Sequence, residues 1–260
     1  MVDREHSLEK PAAGTRNTTI SGNQNSGIIA GGDIRGGVTL GHVPPLPAAG
    51  ELPASAPAPA AKSKAVRILF LGANPQGAPA LRLDHEVREI DQALRQSEFR
   101  EKFDLRQQLA VRSTDLQGAL LRHRPEIVHF SGHGEVDGIF LEDETGQVRK
   151  VAAGVLARIL GVFKKQIRCV VLNACSSQEQ AEAIAKDIDC VIGMSVEIGD
   201  RAAARFAAAF YQALGFGSDV RTAFDLGCAQ IDLDGLEEGK TPQLIAFRKD
   251  PEEIFFVEPV

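Results

Sequence analysis

The chain has 260 residues, 43% hydrophobic and 25% charged, with a formal net charge of -6 and a pI near 5.6. This is the balance of a soluble globular protein. There is no overall positive field and no Lys/Arg stripe interleaved with aromatics, so nucleic acid is not an expected partner. The first residues lead into no apolar leader segment, and no stretch approaches the roughly 18 apolar residues a membrane span needs. No membrane insertion is therefore expected, and the cytoplasm is the expected location. Cys169, Cys175, Cys190 and Cys228 stand far apart without a CxxC pair, so thiols are expected rather than disulfides or a metal site.

Residues 1–16 carry no pattern and are expected to be disordered. Residues 17–41 read NTTISGNQNSGIIAGGDIRGGVTLG, in which glycines separate very short apolar groups. Nothing this small buries a core alone. Ile20, Ile28, Ile29, Ile34 and Val38 could stack in register with copies from other chains, beside ladders of Asn17, Asn23, Gln24 and Asn25. The core of this segment, ISGNQNSGIIAGGDIRGGV, resembles the bacterial amyloid-signalling motifs attached to effector domains in defence systems. That resemblance implies homotypic assembly, or pairing with a sensor protein that carries a matching motif; a disordered tail is the alternative. The motif is assigned to residues 17–43. Residues 44–62 follow as a Pro/Ala linker, a composition that favours extended polyproline II. At about 3.1 Å per residue its 18 residues from Pro44 to Ala61 reach roughly 55 Å when fully extended.

From residue 63 to 260 the pattern changes to strands alternating with helices. Ala65–Leu71 is an apolar run stopped by Gly72 and Asn74-Pro75, as for a buried strand entering a loop. Asp84 is placed to cap a helix with Val87, Ile90 and Leu94 on one face. A weaker strand near Leu105 to Val111 precedes a short helix with Leu116 and Leu120 inward. Glu126–Phe130 then reads as a strand opening into Ser131-Gly-His-Gly134, and Ile139–Leu141 as a small strand. Val155, Ile159 and Val162 mark the next helix. Arg168–Leu172 is a further apolar strand, followed by Asn173-Ala-Cys-Ser-Ser177 and a helix through Ala181, Ile184 and Ala185. Cys190–Gly193 is another strand. Helices follow with Ala203, Phe206, Phe210 and Leu214 inward, then with Val220, Phe224 and Ile231 inward, and a late strand is expected at Gln243 to Phe247. Such alternation implies an α/β fold with a mostly parallel sheet flanked by helices on both faces.

Reactive groups in open α/β sheets collect beyond the carboxyl ends of strands. His133 and Cys175 both fall there, 42 residues apart, close to the spacing of His upstream of Cys in caspase-type enzymes. A thiol with an ordinary pKa near 8.5 is only a few per cent thiolate at neutral pH, so a nucleophilic Cys175 needs a base and a favourable field. His133 supplies the first, and the start of the helix after Ser177 the second. Gly134 permits close approach of a carbonyl, and the Gly134 and Cys175 amides are candidates for an oxyanion hole. Cys169, Cys190 and Cys228 read as small buried hydrophobes, and His129 as a packing histidine in its strand.

Several stretches here resemble the CHAT proteases, bacterial relatives of caspases and separase: FLGANP (70–75), IVHFSGHG (127–134), GIFLEDETG (138–146), VVLNACSSQEQAEAIA (170–185), VIGMSVEIGDRAAARFAAAFYQALG (191–215) and AFDLGCAQI (223–231). The resemblance implies a caspase-like fold, a cysteine endopeptidase with Cys175 as nucleophile and His133 as base, a protein substrate, and no metal or organic cofactor. It also implies that Asn173, two residues before the nucleophile, lies in the pocket for the residue preceding the cut. A neutral amide there gives no preference for a basic or acidic residue. Glu197 and Asp200 could supply acidic groups to the same pocket, with solvated loop carboxylates or a helix cap as the plainer reading. Two rivals stand beside the peptidase: a catalytically silent caspase-like scaffold or adaptor, and a nucleotide- or phosphate-binding α/β domain resting on FLGANP alone.

Overall fold

The computed structural model describes residues 65–257. The motif at 17–43, with Ile20, Ile28, Ile29, Ile34 and Val38, and the linker at 44–62 lie outside the described residues.

The elements run β1 (Val66–Gly72), α1 (Leu83–Arg95), β2 (Phe103–Gln108), α2 (Asp115–His123), β3 (Ile127–Ser131), β4 (Gly134–Glu135), β5 (Gly138–Glu142), β6 (Val148–Ala152), α3 (Ala153–Val162), β7 (Cys169–Asn173), α4 (Gln178–Ala185), β8 (Cys190–Met194), α5 (Asp200–Gly215), α6 (Val220–Leu233) and β9 (Pro242–Ile245). Six strands form one sheet in the order β2-β1-β3-β7-β8-β9. The first five pair in parallel and β9 runs antiparallel to β8. β4, β5 and β6 make a separate antiparallel sheet. The sequence showed only its middle strand: β4 has two residues, and β6 reads VRKVA with one buried position.

Both faces of the main sheet are buried, which explains why its strands read as continuous apolar runs. Alternation divides each strand between two cores. Ile68, Phe70, Ile127, Val171 and Ile192 pack with Phe206, Phe210, Tyr211 and other residues of α1, α5 and α6. Leu69, Leu71, Val128, Phe130, Val170 and Leu172 pack with residues of α2, α3 and α4. The inward residues expected for α2, α4, α5 and α6 are all buried. In α3 the helix is where its periodicity placed it, but the face differs. Leu156 and Leu160 are buried while Val155 is 38% and Val162 77% exposed. The two leucines face the sheet and join the core with Val128, Val170 and Leu172.

Two expected caps are also replaced. α1 starts at Leu83 without a side-chain cap, and Asp84 sits in its first turn, where its charge still complements the helix dipole. α5 starts at Asp200, so that residue is not the cap. Glu238, from after α6, instead accepts the Gly199 amide at 2.7 Å.

The strand order turns both ways from β1, to β2 on one side and β3 on the other. A crevice at the carboxyl ends of β1 and β3 is the consequence of such a switch.

Candidate active site

A cleft of about 340 Å³ occupies that position, lined by four loops: Pro79–Arg82 after β1, Ser131–His133 after β3, Asn173–Cys175 after β7 and Glu197–Asp200 after β8. Of the residues expected at the active site, His133, Asn173, Cys175, Glu197 and Asp200 line it, and Gly134 packs against Cys175.

The register brings the histidine and cysteine loops together. Ser131 pairs with Asn173 at the ends of β3 and β7, and His133 and Cys175 each stand two residues further on. The Gly132 amide donates to the Asn173 carbonyl at 3.3 Å. Gly134 completes the approach, because a Cβ there would lie 2.9 Å from the Cys175 carbonyl oxygen and 3.1 Å from the Ala174 Cβ. Only glycine lets these two loops lie this close.

His133 is held from its far side. Its Nε2 lies 2.7 Å from the Pro79 carbonyl oxygen. A carbonyl only accepts, so Nε2 carries a proton, and in the neutral ring Nδ1 bears the free lone pair. The FLGANP stretch explains how Pro79 gets there. The Asn74 side chain spans the loop, donating through Nδ2 to the Leu81 carbonyl and accepting from the Leu81 amide through Oδ1, both at 3.3 Å. Its own amide donates to Glu142 at 3.1 Å. Asn74 thus shapes the loop that carries Pro79.

The cysteine loop is clamped from behind. Ser176 takes a left-handed backbone, φ 51°, and its amide donates to the Val196 carbonyl at 3.2 Å. The fully buried Ser177 hydroxyl donates to the Leu172 carbonyl and accepts from the Met194 amide, each at 3.0 Å. Cys175 itself is partly exposed. Of the remaining thiols Cys169 and Cys190 are buried as expected and Cys228 is only partly so; the Cys169 hydrogen bond and burial push Cys190 well up, and burial pushes Cys228 up to about 12.

The floor of the cleft holds groups the sequence reading passed over. Glu86, on the inner face of α1, accepts from His129 Nε2 at 2.8 Å and Asn173 Nδ2 at 2.6 Å on one oxygen, and from the Ser131 hydroxyl on the other. His129 Nδ1 meets the Tyr211 hydroxyl at 3.1 Å, and the ring stacks on Phe70. His129 is a fully buried strand residue, as expected. Burial raises the Glu86 carboxyl, but the His129 hydrogen bond and charge, then Ser131 and Asn173, outweigh it and hold the group below its usual range. The signal was present in the sequence: Glu86 stands four residues before Ile90, on the edge of the apolar stripe. Asn173 and Asp200 line the cleft, Asp200 accepting from the Arg82 amide at 3.4 Å, and Glu197 lines it from the same loop as Asp200.

A mostly parallel α/β sheet with cysteine and histidine loops at adjacent strand ends defines a caspase-like fold. The comparisons agree. The fold resembles the Arg-specific cysteine proteinase gingipain R (TM-score 0.53, 13% identity, 73% of this chain and 47% of that one). It also resembles caspase-1 from Spodoptera frugiperda (TM-score 0.50, 11% identity, 71% of this chain and 87% of that one). The family model of the CHAT domain matches residues 46–233, and the chain belongs to that family. Its relatives include a probable protease of Gillisia limnaea, 27% identical over 56% of this chain and 26% of the relative. Another is a Roc-COR-CHAT protease of an unknown prokaryotic organism, 25% identical over 59% of this chain and 15% of the relative. The chain thus spans about a quarter or less of these relatives' lengths.

Proposed function

We propose that the protein is a cysteine endopeptidase in which Cys175 attacks the scissile carbonyl and His133 takes its proton. The observation that carries this reading is the 2.7 Å bond from His133 Nε2 to the Pro79 carbonyl. It fixes the tautomer with Nδ1 as the proton acceptor, the role an orienting group plays for a catalytic base. His133 then returns the proton to the leaving amine, and water releases the acyl group from Cys175. The Gly134 and Cys175 amides are proposed as donors to the oxyanion. Asn173, Glu197 and Asp200 are proposed to contact the substrate chain, which is a protein. The names of the curated relatives, both proteases, support the activity.

We further propose a division of labour along the chain: residues 1–16 as leading tail, 17–43 as assembly motif, 44–62 as tether and 63–260 as peptidase. The motif clusters the chain, through itself or a sensor's matching motif, and so switches on cleavage of a partner protein in a bacterial defence or cell-death response in the cytoplasm. A flexible tether raises effective concentration without new contacts. The test is reaction of the full-length chain with a peptidyl thiol-directed inhibitor, followed by mass mapping. The reading expects the adduct on Cys175 and its loss in His133→Ala; a chain that no such inhibitor labels is a scaffold.

A further inference from the structure

The cleft floor is polar and incompletely paired. Tyr211 is fully buried and its hydroxyl has His129 Nδ1 as partner. Burial, then the charges of Cys169 and Glu86, push that phenol well above its ordinary value, so it keeps its proton. Nε2 of His129 donates to the Glu86 carboxylate, and Nδ1 meets the Tyr211 hydroxyl. Among the described residues Glu86 faces His129 at 2.8 Å and pairs with no Lys or Arg. A carboxylate offers about four lone-pair sites, and the three bonds from His129, Asn173 and Ser131 leave one on the oxygen that Ser131 shares.

A second observation points the same way. Asn173 is 4% exposed and lines the cleft. Its Nδ2 is spent on Glu86, while its Oδ1 is buried without a hydrogen-bond partner. A buried acceptor left empty costs free energy unless a ligand fills it. At the rim Glu197 and Asp200 add two more carboxylates against the single guanidinium of Arg82. The cleft therefore presents acceptors and negative charge, and what completes it is a cation with several donors.

We propose that Glu86 and Asn173 together read the side chain preceding the scissile bond, and that the chain cuts after Arg or Lys. This rests on the peptidase reading of Cys175 above. Asn173 itself carries no charge, and the carboxylate beside it comes from α1. An arginine head carries five donors in a fork, enough to reach Glu86, the empty Asn173 Oδ1 and the Ser131 hydroxyl. A lysine meets fewer of these, so arginine is the better of the two. An acidic side chain would set like charge on Glu86 and put an acceptor against an acceptor, so it is refused.

The experiment exposes the clustered full-length chain to peptide substrates identical except at the residue before the cut, with Cys175→Ala as blank. The expected profile is Arg above Lys, both at least about 100-fold above Leu, Gln and Asp, the scale on which buried charge pairs discriminate. Glu86→Gln should lower the ratio of Arg to Leu cleavage by about 100-fold. A purely structural Glu86 would lower both alike and leave the ratio unmoved, which counts against the assignment. Cys175-dependent cleavage with Leu or Asp preferred overturns this inference while the peptidase stands; no Cys175-dependent cleavage of any peptide overturns both. The wild-type profile decides the matter even where Glu86→Gln does not fold.

Discussion

His133 and Pro79, 54 residues apart in the chain, meet through one hydrogen bond of 2.7 Å, Nε2–H to carbonyl oxygen, between the loops that follow two adjacent strands. A backbone carbonyl orients the imidazole here, a role that a carboxylate often fills elsewhere. No side chain at Pro79 can be mutated to remove that carbonyl, so the contact is best tested through the loop that presents it. Asn74→Ala deletes two bonds that shape the loop. Each is worth about 1 kcal/mol, and Asn74 is exposed. Peptidase kcat/KM should fall about tenfold, an effect of the kind produced by small misplacements, while the melting temperature changes by only a few degrees. Unchanged kinetics would remove the Pro79 loop from the mechanism.

Gly134→Ala places a methyl group 2.9 Å from the Cys175 carbonyl oxygen. Backbone cannot yield as a flexible side chain does, so the histidine and cysteine loops must separate. The variant should remain folded and lose about 100-fold or more in kcat/KM, since about 1 Å of misplacement has that effect. Kinetics beside circular dichroism of both proteins measure this.

Ser177→Ala removes the hydroxyl bridging Leu172 and Met194. The Met194 amide is then buried without its acceptor, at a cost of about 1–3 kcal/mol. Urea unfolding should show this loss in the midpoint with the slope unchanged.

Glu86 also shapes the acid limb of stability. Its folded carboxyl is held below the ordinary 4.5, so the stability it contributes is fully present above that value and is lost as pH falls through the lower folded one. Glu86→Gln should thus be less stable than wild type at pH 7, by about 1–3 kcal/mol. The difference should shrink as the pH falls below 4.5. Denaturant midpoints at pH 7 and pH 3 test this, and a difference that does not depend on pH would contradict it.

Much of this site was legible because its two poles sit in a repeated context. An apolar run ending in a short loop put His133 and Cys175 at neighbouring strand ends, and Ser131 opposite Asn173 in the register confirms the placement. What stayed hidden came from elements distant in sequence. Glu86 reaches Asn173 across 87 residues, and Glu238 reaches the start of α5 across 39. Periodicity reports which face of a helix is inward, not which strand end a polar residue on that face will meet. The small antiparallel sheet was missed for a different reason, since a two-residue strand and a mostly exposed one carry little apolar alternation.

The central claim is that Cys175 and His133 act as one unit, and the most direct measurement is cleavage by the clustered full-length chain compared with Cys175→Ala, His133→Ala and the double variant. Both side chains lie in loops beyond the strands, so all three variants should unfold at close to the wild-type temperature. Each single change should abolish cleavage, and the double change should cost no more than either alone, because groups that act together do not lose activity multiplicatively. Undiminished cleavage by Cys175→Ala, or losses that multiply in the double variant, would contradict the account.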